Sequence, residues 1–497
     1  MHISKLLDNL LLKEINGRVS GEVTGLVYHS DKVRKGHLFF ALPGTKARGW
    51  EYAREAVRNG ALAVVVEDDA PKMDLPCIRT PDVRLAMAAM AAAFYEFPSQ
   101  KLRLIGVTGT NGKTTTTYLI DKLLEVKGVT SGLIGTVDYK IGTEKFPVLS
   151  TTPEAPALQA LLARMIEKGA SYAVMEVSSH ALDWHRVSGC EFDIAVLTNI
   201  TEDHLDFHHD FESYRAAKGK LFSRMGGSLS KMGRPKAAVL NRDDPSFDYL
   251  SSLNPVETVS YAVKRPADVY AENPIIDHRG TRFRVRTFAG DIELNLRLRG
   301  MFNVYNSLAA IATGLVDGMK IEDIKTGLEA VTGIPGRFEQ VECGQDYLVI
   351  IDYAHTTDGL ENVLQTARQL LKQGRLITVF GCGGERDRSK RSLMGEIAGK
   401  YSEICIVTSD NPRGEDPEAI VEEIIPGLRK TKKDGEYHVH IDRHAAIKKA
   451  VDLAAPGDIV IIAGKGHEEY QIFKEKTIYF SDRKTVEKLV AEKRKER

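Results

Sequence analysis

Lys113 and Thr114 are residue types that phosphate chemistry needs, and they close one short run: Gly106-Val-Thr-Gly109-Thr110-Asn111-Gly112-Lys113-Thr114-Thr115. Glycines let backbone N–H groups curl around phosphate oxygens, lysine adds a point charge, and Thr114 or Thr115 offers magnesium a hydroxyl. The run joins a strand-like apolar segment, 102–107, to a periodic helical one, 114–126, so the positive end of a helix dipole faces the same place. A glycine turn with an incidental lysine is the bland alternative; G-K-T-T in this strand–loop–helix setting outweighs it. In the usual G-x-x-x-x-G-K-[ST] the first glycine would fall on Val107, but here Gly106 stands one residue earlier.

Two polar clusters end later apolar runs: Glu176-Val-Ser178-Ser179-His180, and 198–208 with Asn199, Asp203, His204, Asp206 and His208. Alone, each reads equally well as a helix cap or a solvated turn. Beside a nucleotide loop that needs a divalent cation, they read as magnesium ligands and phosphate contacts. Zinc is weaker: His204 and His208 stand four apart, but there is no H-E-x-x-H and no nearby thiol. Lys218, in a helical stretch from Tyr214 to Phe222, reads from composition as an exposed helix lysine.

The elements that position these groups fall into three blocks, matching the domain count that 497 residues support. The fold class is α/β. A small N-terminal α/β domain spans 1–100, with runs at 38–42 and 61–66 and a helical pattern around 83–97. A central domain, 101–332, has the strand–loop–helix grammar of a P-loop-type, mostly parallel sheet, with further strands at 172–177 and 192–197 and a helix within 299–314. The third, 333–497, alternates strands at 348–351, 376–380, 404–407 and 459–462 with helices near 360–371, 391–401 and 417–428. That is a Rossmann-like doubly wound pattern. The lysine-rich stretch 484–497 reads as a solvated helical tail.

Sixty-eight basic residues balance sixty-eight acidic ones, so no net field draws nucleic acid or an anionic membrane. Five cysteines (Cys77, Cys190, Cys343, Cys382, Cys405) without a C-x-x-C argue against a disulfide scaffold or a cysteine zinc site. Lys5 and Asp8 interrupt the apolar start, and no run approaches ~18 uncharged apolar residues. The expectation is a cytoplasmic monomer with no membrane insertion and no nucleic-acid partner.

The T-G-T-N-G-K-T loop resembles that of the Mur ligase and folylpolyglutamate synthetase superfamily. Ordered matches along nearly the whole chain resemble the Mur ligase family, in its branch adding the third amino acid of peptidoglycan. They include STTPE at Ser150, MEVSSHAL at Met175, TNITEDHLDFH at Thr198, YRAAKGKLF at Tyr214 and GMFNVYNSLAA at Gly300. Further on stand GIPGRFE at Gly333, DYAHTTD at Asp352, GCGGERDRSKR at Gly381, SDNPR at Ser409 and AGKGHEEYQ at Ala463. The resemblance implies an ATP-dependent ligase using Mg2+, with UDP-N-acetylmuramoyl-L-Ala-D-Glu and meso-diaminopimelate as substrates. The carboxylate would be activated as an acyl phosphate and then attacked by the amine. This requires no protein nucleophile, which suits the absence of a Ser–His or Cys–His signature.

Residue by residue, the resemblance implies that Ser30 contacts the uridine diphosphate, while Thr151, Thr152, Ser178 and Arg186 hold the muramoyl dipeptide. Gly109, Thr110, Asn111, Gly112, Lys113, Thr114 and Thr115 would cradle ATP phosphates. Asn303, Asn306, Arg337, Asp352 and His355 would bind adenosine and phosphates across a domain junction. Thr114, Glu176, His204 and Lys218 would hold magnesium; Lys218 matches the family's carbamylated lysine, an anionic oxygen ligand where an ammonium would be repelled. Lys113, Lys218 and His204 are expected to carry the catalytic chemistry. Arg386, Asp410, Asn411, Pro412, Arg413, Gly464 and Glu468 would form the diaminopimelate pocket. The planar fork of Arg413 suits the carboxylate that lysine lacks, and Glu468 suits the amino group; a surface arginine at a helix entry is the bland alternative.

Thr357 stands where the family usually has proline, and Glu385 where aspartate is usual. Three competing readings remain: a lysine-adding sibling, a folylpolyglutamate synthetase-like ligase, and a non-catalytic nucleotide-binding regulator. The first would carry other residues at 410–413, the second would lack the N-terminal block, and the third would show damaged magnesium or phosphate residues.

Overall fold

Three sheets organise the chain. The computed structural model describes residues 1–44, 48–148, 150–226, 230–231, 233–433 and 435–495. The first sheet runs Glu14–Asn16, Cys77–Thr80, Ala63–Glu67, His37–Phe40, Gly25–Val27, and only Glu14–Asn16 is antiparallel to its neighbour. Helix Val83–Phe94, capped by the Asp82 carboxylate on the Leu85 N–H, buries its alanine- and methionine-rich face on this sheet.

The central sheet has eleven strands. Its middle is parallel: Glu257–Ala262, Ala237–Asn241, Ile194–Leu197, Arg103–Thr108, Tyr172–Glu176, Ser131–Ile134. Arg103–Thr108 is buried at every position, which parallel strands covered on both faces require. Antiparallel ribbons extend both edges, Tyr139–Ile141 with Glu144–Phe146 on one and Val269–Asp277, Gly280–Thr287 and Gly290–Leu296 on the other. The sequence reading assigned no elements to those edges, although Gly280–Thr287 alternates buried and exposed positions along most of its length. Helix Lys113–Val126 packs Leu119, Ile120, Leu123 and Leu124 beside Val304, Leu308 and Ile311 of helix Met301–Val316.

The third sheet runs Glu339–Val341, Leu348–Asp352, Ile459–Ala463, Leu376–Phe380, Ile404–Val407, Tyr437–Val439. It is parallel except at its first edge strand and has an apolar core on each face, which makes it doubly wound. The lysine-rich end corrects the sequence reading. Asp482–Lys495 is a helix, but Val486, Leu489 and Val490 are buried beside Ile447 and Val451 of helix Arg443–Leu453. Burying such side chains gains about 1.5–3 kcal/mol each, enough to dock one stripe of a charged helix. Its Asp482 pairs with Arg443 at 2.7 Å, both side chains wholly buried.

Candidate active site

The phosphate loop sits where strand Arg103–Thr108 hands over to helix Lys113–Val126. Gly109 and Gly112 have φ of +149° and +87°, and a Cβ there would lie 1.9 Å from Thr198 Oγ1 and 2.4 Å from Asn306 Oδ1. No side chain fits either place. Thr198 Oγ1 donates to Asn111 O at 2.6 Å, and Asn199 Oδ1 accepts the Asn111 N–H at 3.0 Å, so the 198–199 segment braces the loop. Lys113 Nζ donates to Gly109 O and Thr110 O at 2.8 and 2.9 Å. Lys218 Nζ donates to the same Gly109 O at 2.9 Å.

Lys218 is therefore not an exposed helix lysine. Helix Phe211–Ser223 turns it inward, leaving it 1 % exposed, with its ammonium 4.5 Å from the Tyr214 ring centroid. Burial, then the nearby Lys113 charge, holds its amine well below the usual lysine range. Burial also lowers Lys113, opposed by Glu176 and Asp203. Among the described residues neither lysine has a carboxylate within 4.0 Å, whereas exposed pairs are plentiful elsewhere.

Glu176, the last residue of its strand, is 1 % exposed, and its two oxygens accept the Thr136 N–H at 2.8 Å and the Thr136 hydroxyl at 3.1 Å. A Cβ on Gly135 would meet Glu176 Oε1 at 2.6 Å. No cation pairs with this carboxylate among the described residues. His204 adopts φ +56° and lies 3.3 Å from Asp203; burial pulls its imidazole down to about 3, so it stands neutral. Around it, His180 stacks on Phe207 at 4.3 Å, while His208 Nε2 meets Ser179 Oγ at 3.0 Å. Among the described residues no three His, Cys, Asp or Glu side chains converge to hold a metal by themselves. The donors nonetheless fit magnesium, which takes one or two carboxylates and completes its shell with hydroxyl, phosphate and water oxygens.

The third sheet's loops reach this corner. Arg337 Nη2 donates to Thr114 Oγ1 at 2.9 Å and its guanidinium covers Tyr353 at 4.5 Å. Asn111 Nδ2 donates to Asp358 Oδ2 at 2.8 Å. Asn306 Nδ2 donates to Asn303 Oδ1 at 3.2 Å, directly beneath Gly112. Asp352 is taken up by backbone donors, accepting from the Phe338 N–H of a distant segment at 2.6 Å and the nearby Ala354 N–H at 2.7 Å. His355 is lowered by burial and then by Lys390. Thr357 begins helix Thr357–Leu370, where proline's missing N–H and ready-set φ are tolerated but not required.

The residues read as an acceptor pocket also come together. Asn411 Nδ2 and Lys465 Nζ donate to Glu468 Oε2 at 2.9 and 2.8 Å, and Lys465 also reaches Asn411 Oδ1 at 3.1 Å. Arg413, at φ +53°, donates to Gly384 O at 2.8 Å and has no carboxylate partner among the described residues. The Pro412 carbonyl is as closely packed, 1.9 Å from where a Cβ on Gly384 would stand. Asp410 Oδ2 is buried and unpartnered, 2.5 Å from where a Cβ on Gly464 would stand. Arg386 is exposed beside Arg413, and Glu385 takes a left-handed φ of +52°, which an aspartate adopts more readily.

Thr152 Oγ1 donates to Glu176 O at 2.8 Å and accepts the Ser178 N–H at 3.1 Å; Thr151 Oγ1 meets Thr136 Oγ1 at 3.1 Å. Arg186 donates to Thr152 O at 2.9 Å and pairs with Glu154 at 2.8 Å. Ser30 stands apart, on the one-turn helix Ser30–Lys32 at the first sheet; its carbonyl accepts from Asn59 Nδ2 at 3.0 Å, and among the described residues no hydrogen bond joins it to the other site residues. Sequence reasoning left Thr136, Asp358, Lys465 and His467 without roles. Asp358 lies within DYAHTTD and Lys465 and His467 within AGKGHEEYQ, whereas Thr136 stands outside every matched segment.

A phosphate loop at the strand ends of a parallel sheet, joined by a doubly wound lobe, defines a nucleotide-dependent transferase or ligase architecture. The chain matches the Mur ligase family catalytic domain over residues 22–95, the Mur ligase middle domain over 107–314 and the Mur ligase glutamate ligase domain over 336–466. It belongs to the Mur ligase family. The UDP-N-acetylmuramoyl-L-alanyl-D-glutamate–2,6-diaminopimelate ligase of Syntrophomonas wolfei is 46% identical over 99% of both chains. A solved structure of a ligase of the same name superposes with a TM-score of 0.68 at 33% identity, covering 98% of this chain and 99% of that one. The folylpolyglutamate synthase of Mycobacterium tuberculosis shares the fold, with a TM-score of 0.64 at 17% identity over 77% of this chain and 92% of its own.

Proposed function

We propose that this chain is an ATP-dependent ligase that adds meso-2,6-diaminopimelate to the D-glutamate γ-carboxylate of UDP-N-acetylmuramoyl-L-Ala-D-Glu, yielding the UDP-muramoyl tripeptide, ADP and phosphate. It works in the cytoplasm, as a monomer, with domains at 1–100, 101–332 and 333–497. The observation that carries the reading is the unpaired Arg413 guanidinium beside the Glu468–Lys465–Asn411 network, in a chain whose named relatives match it nearly end to end.

The γ-carboxylate attacks the γ-phosphorus, the bond to ADP breaks, and the acyl phosphate takes the amine; the resulting tetrahedral adduct expels phosphate. Bringing two anions together is the obstacle. Lys113, the loop N–H groups and the helix dipole offset that repulsion. Thr114, Glu176, His204 and Lys218, carbamylated, would hold magnesium, with Glu176 kept in place by Thr136. Magnesium, when bound, supplies positive charge to the phosphate oxygens. A depressed amine pKa favours the neutral lysine that carbamylation needs. Thr151, Thr152, Ser178 and Arg186 orient the dipeptide, and Ser30 contacts the uridine diphosphate at the far lobe.

Lysine in the acceptor pocket would leave Arg413 facing a vacant carboxylate position. Sites that lose such a partner discriminate by about 10⁴–10⁵. An intact phosphate loop speaks against a regulator, and the 410–413 residues against a lysine-adding sibling. Phosphate release is expected only when ATP, the UDP-muramoyl dipeptide and meso-diaminopimelate are all present; comparable turnover with L-lysine would overturn the acceptor assignment.

A further inference from the structure

Two tight segments of the third lobe, 333–339 and 464–468, press on one another and both reach the central lobe. A Cβ on Gly336 would lie 2.2 Å from the His467 nitrogen, and one on Gly466 2.8 Å from Gly336 O. Neither segment can shift without displacing the other. From the first, Arg337 donates to Thr114 Oγ1 at 2.9 Å. From the second, His467 Nε2 lies 3.2 Å from Thr136 O. A carbonyl only accepts, so Nε2 carries the hydrogen; the other ring nitrogen is buried without a partner. Thr136 in turn gives both its N–H and its hydroxyl to Glu176. The same 464–468 turn presents Lys465 and Glu468 to Asn411. One rigid corner thus touches the acceptor network on one side and the brace of Glu176 on the other.

We propose that His467 is a positioning residue that sets Glu176 through Thr136, so that docking of the acceptor loop and alignment of the phosphate corner occur together. The proposal rests on the ligase reading, but that reading gives His467 no part. Groups that orient a metal-holding carboxylate typically contribute 10–100-fold to metal affinity or activity.

The test compares full-length wild type with His467→Ala and His467→Gln, whose amide N–H reaches the same carbonyl. Manganese binding to each protein's ADP complex is read from the free-ion electron paramagnetic resonance signal, beside magnesium titrations of turnover. In His467→Ala, manganese affinity is expected to fall about 10-fold and the magnesium midpoint to rise by a similar factor, with KM for the UDP-muramoyl dipeptide unchanged. His467→Gln is expected to recover most of both. Wild-type manganese affinity in a folded His467→Ala, or a Gln variant no better than Ala, overturns the proposal. If wild type turns over none of the proposed substrates, the ligase reading fails, while the manganese comparison still decides the role of His467.

Discussion

The phosphate corner and the acceptor pocket both hold buried lysines, and they treat them in opposite ways. At the phosphate corner Lys113 and Lys218 crowd one carbonyl, Gly109 O, at 2.8 and 2.9 Å, and among the described residues neither forms an ion pair. In the acceptor pocket Lys465 is equally buried but neutralised by Glu468 at 2.8 Å and steadied by Asn411. The first region keeps two amines without an ion pair, and burial holds both below the usual lysine range, Lys218 well below it. The second pairs its lysine and, among the described residues, leaves the Arg413 guanidinium without a carboxylate and Asp410 Oδ2 without a donor. Charge without a partner is costly in a fold, so where it persists it marks the ligand's place.

Substitutions separate the two regions. Lys218→Ala is expected to abolish turnover, with partial recovery when bicarbonate or a short carboxylic acid is added to the assay. No rescue, together with an unmodified Lys218 in the wild-type mass spectrum, would remove the carbamate. Arg413→Lys is expected to act more narrowly. One lost charge-assisted hydrogen bond costs about 1.5–3 kcal/mol, so kcat/KM for diaminopimelate falls roughly 10- to 100-fold while KM for ATP holds. Equal losses in both would place Arg413 outside the acceptor pocket.

The smallest effect is on stability. Burial lowers His180 and His467 to about 4 in the folded protein, whereas unfolded imidazoles titrate near 6.5. The unfolded chain therefore binds more protons between those values, and stability present above about pH 6.5 is lost as pH falls toward 4. Melting temperatures measured across that window should drop on the acid side, and less steeply in His467→Gln; an unchanged slope would show that His467 takes no part.

Much of the fold was legible. The strands at Leu376–Phe380 and Ile404–Val407 stand at the residues where apolar runs place them, because parallel strands buried on both faces are continuous apolar segments. The edge ribbons over 269–296 were not read, since one-sided alternation with charged outer positions leaves a weaker signal. The end of the chain misled for a related reason: lysines and glutamates dominate its composition, and three buried residues on one face decide its position. At the site, Lys113 and Glu176 carried motifs; Thr136 carried none, because its role is a hydrogen bond to a residue 40 positions away.

Sequence by itself determined the chemistry on offer: a glycine loop that only glycine geometry permits, hard oxygen donors at strand ends, and an arginine motif suited to a carboxylate. Those follow from residue type and local spacing. Tertiary structure decided which charges stay unpaired, since burial and pairing depend on what distant segments bring within a few ångströms. It turned Lys218 inward, closed the Lys465–Glu468 pair, and set His467 against Thr136.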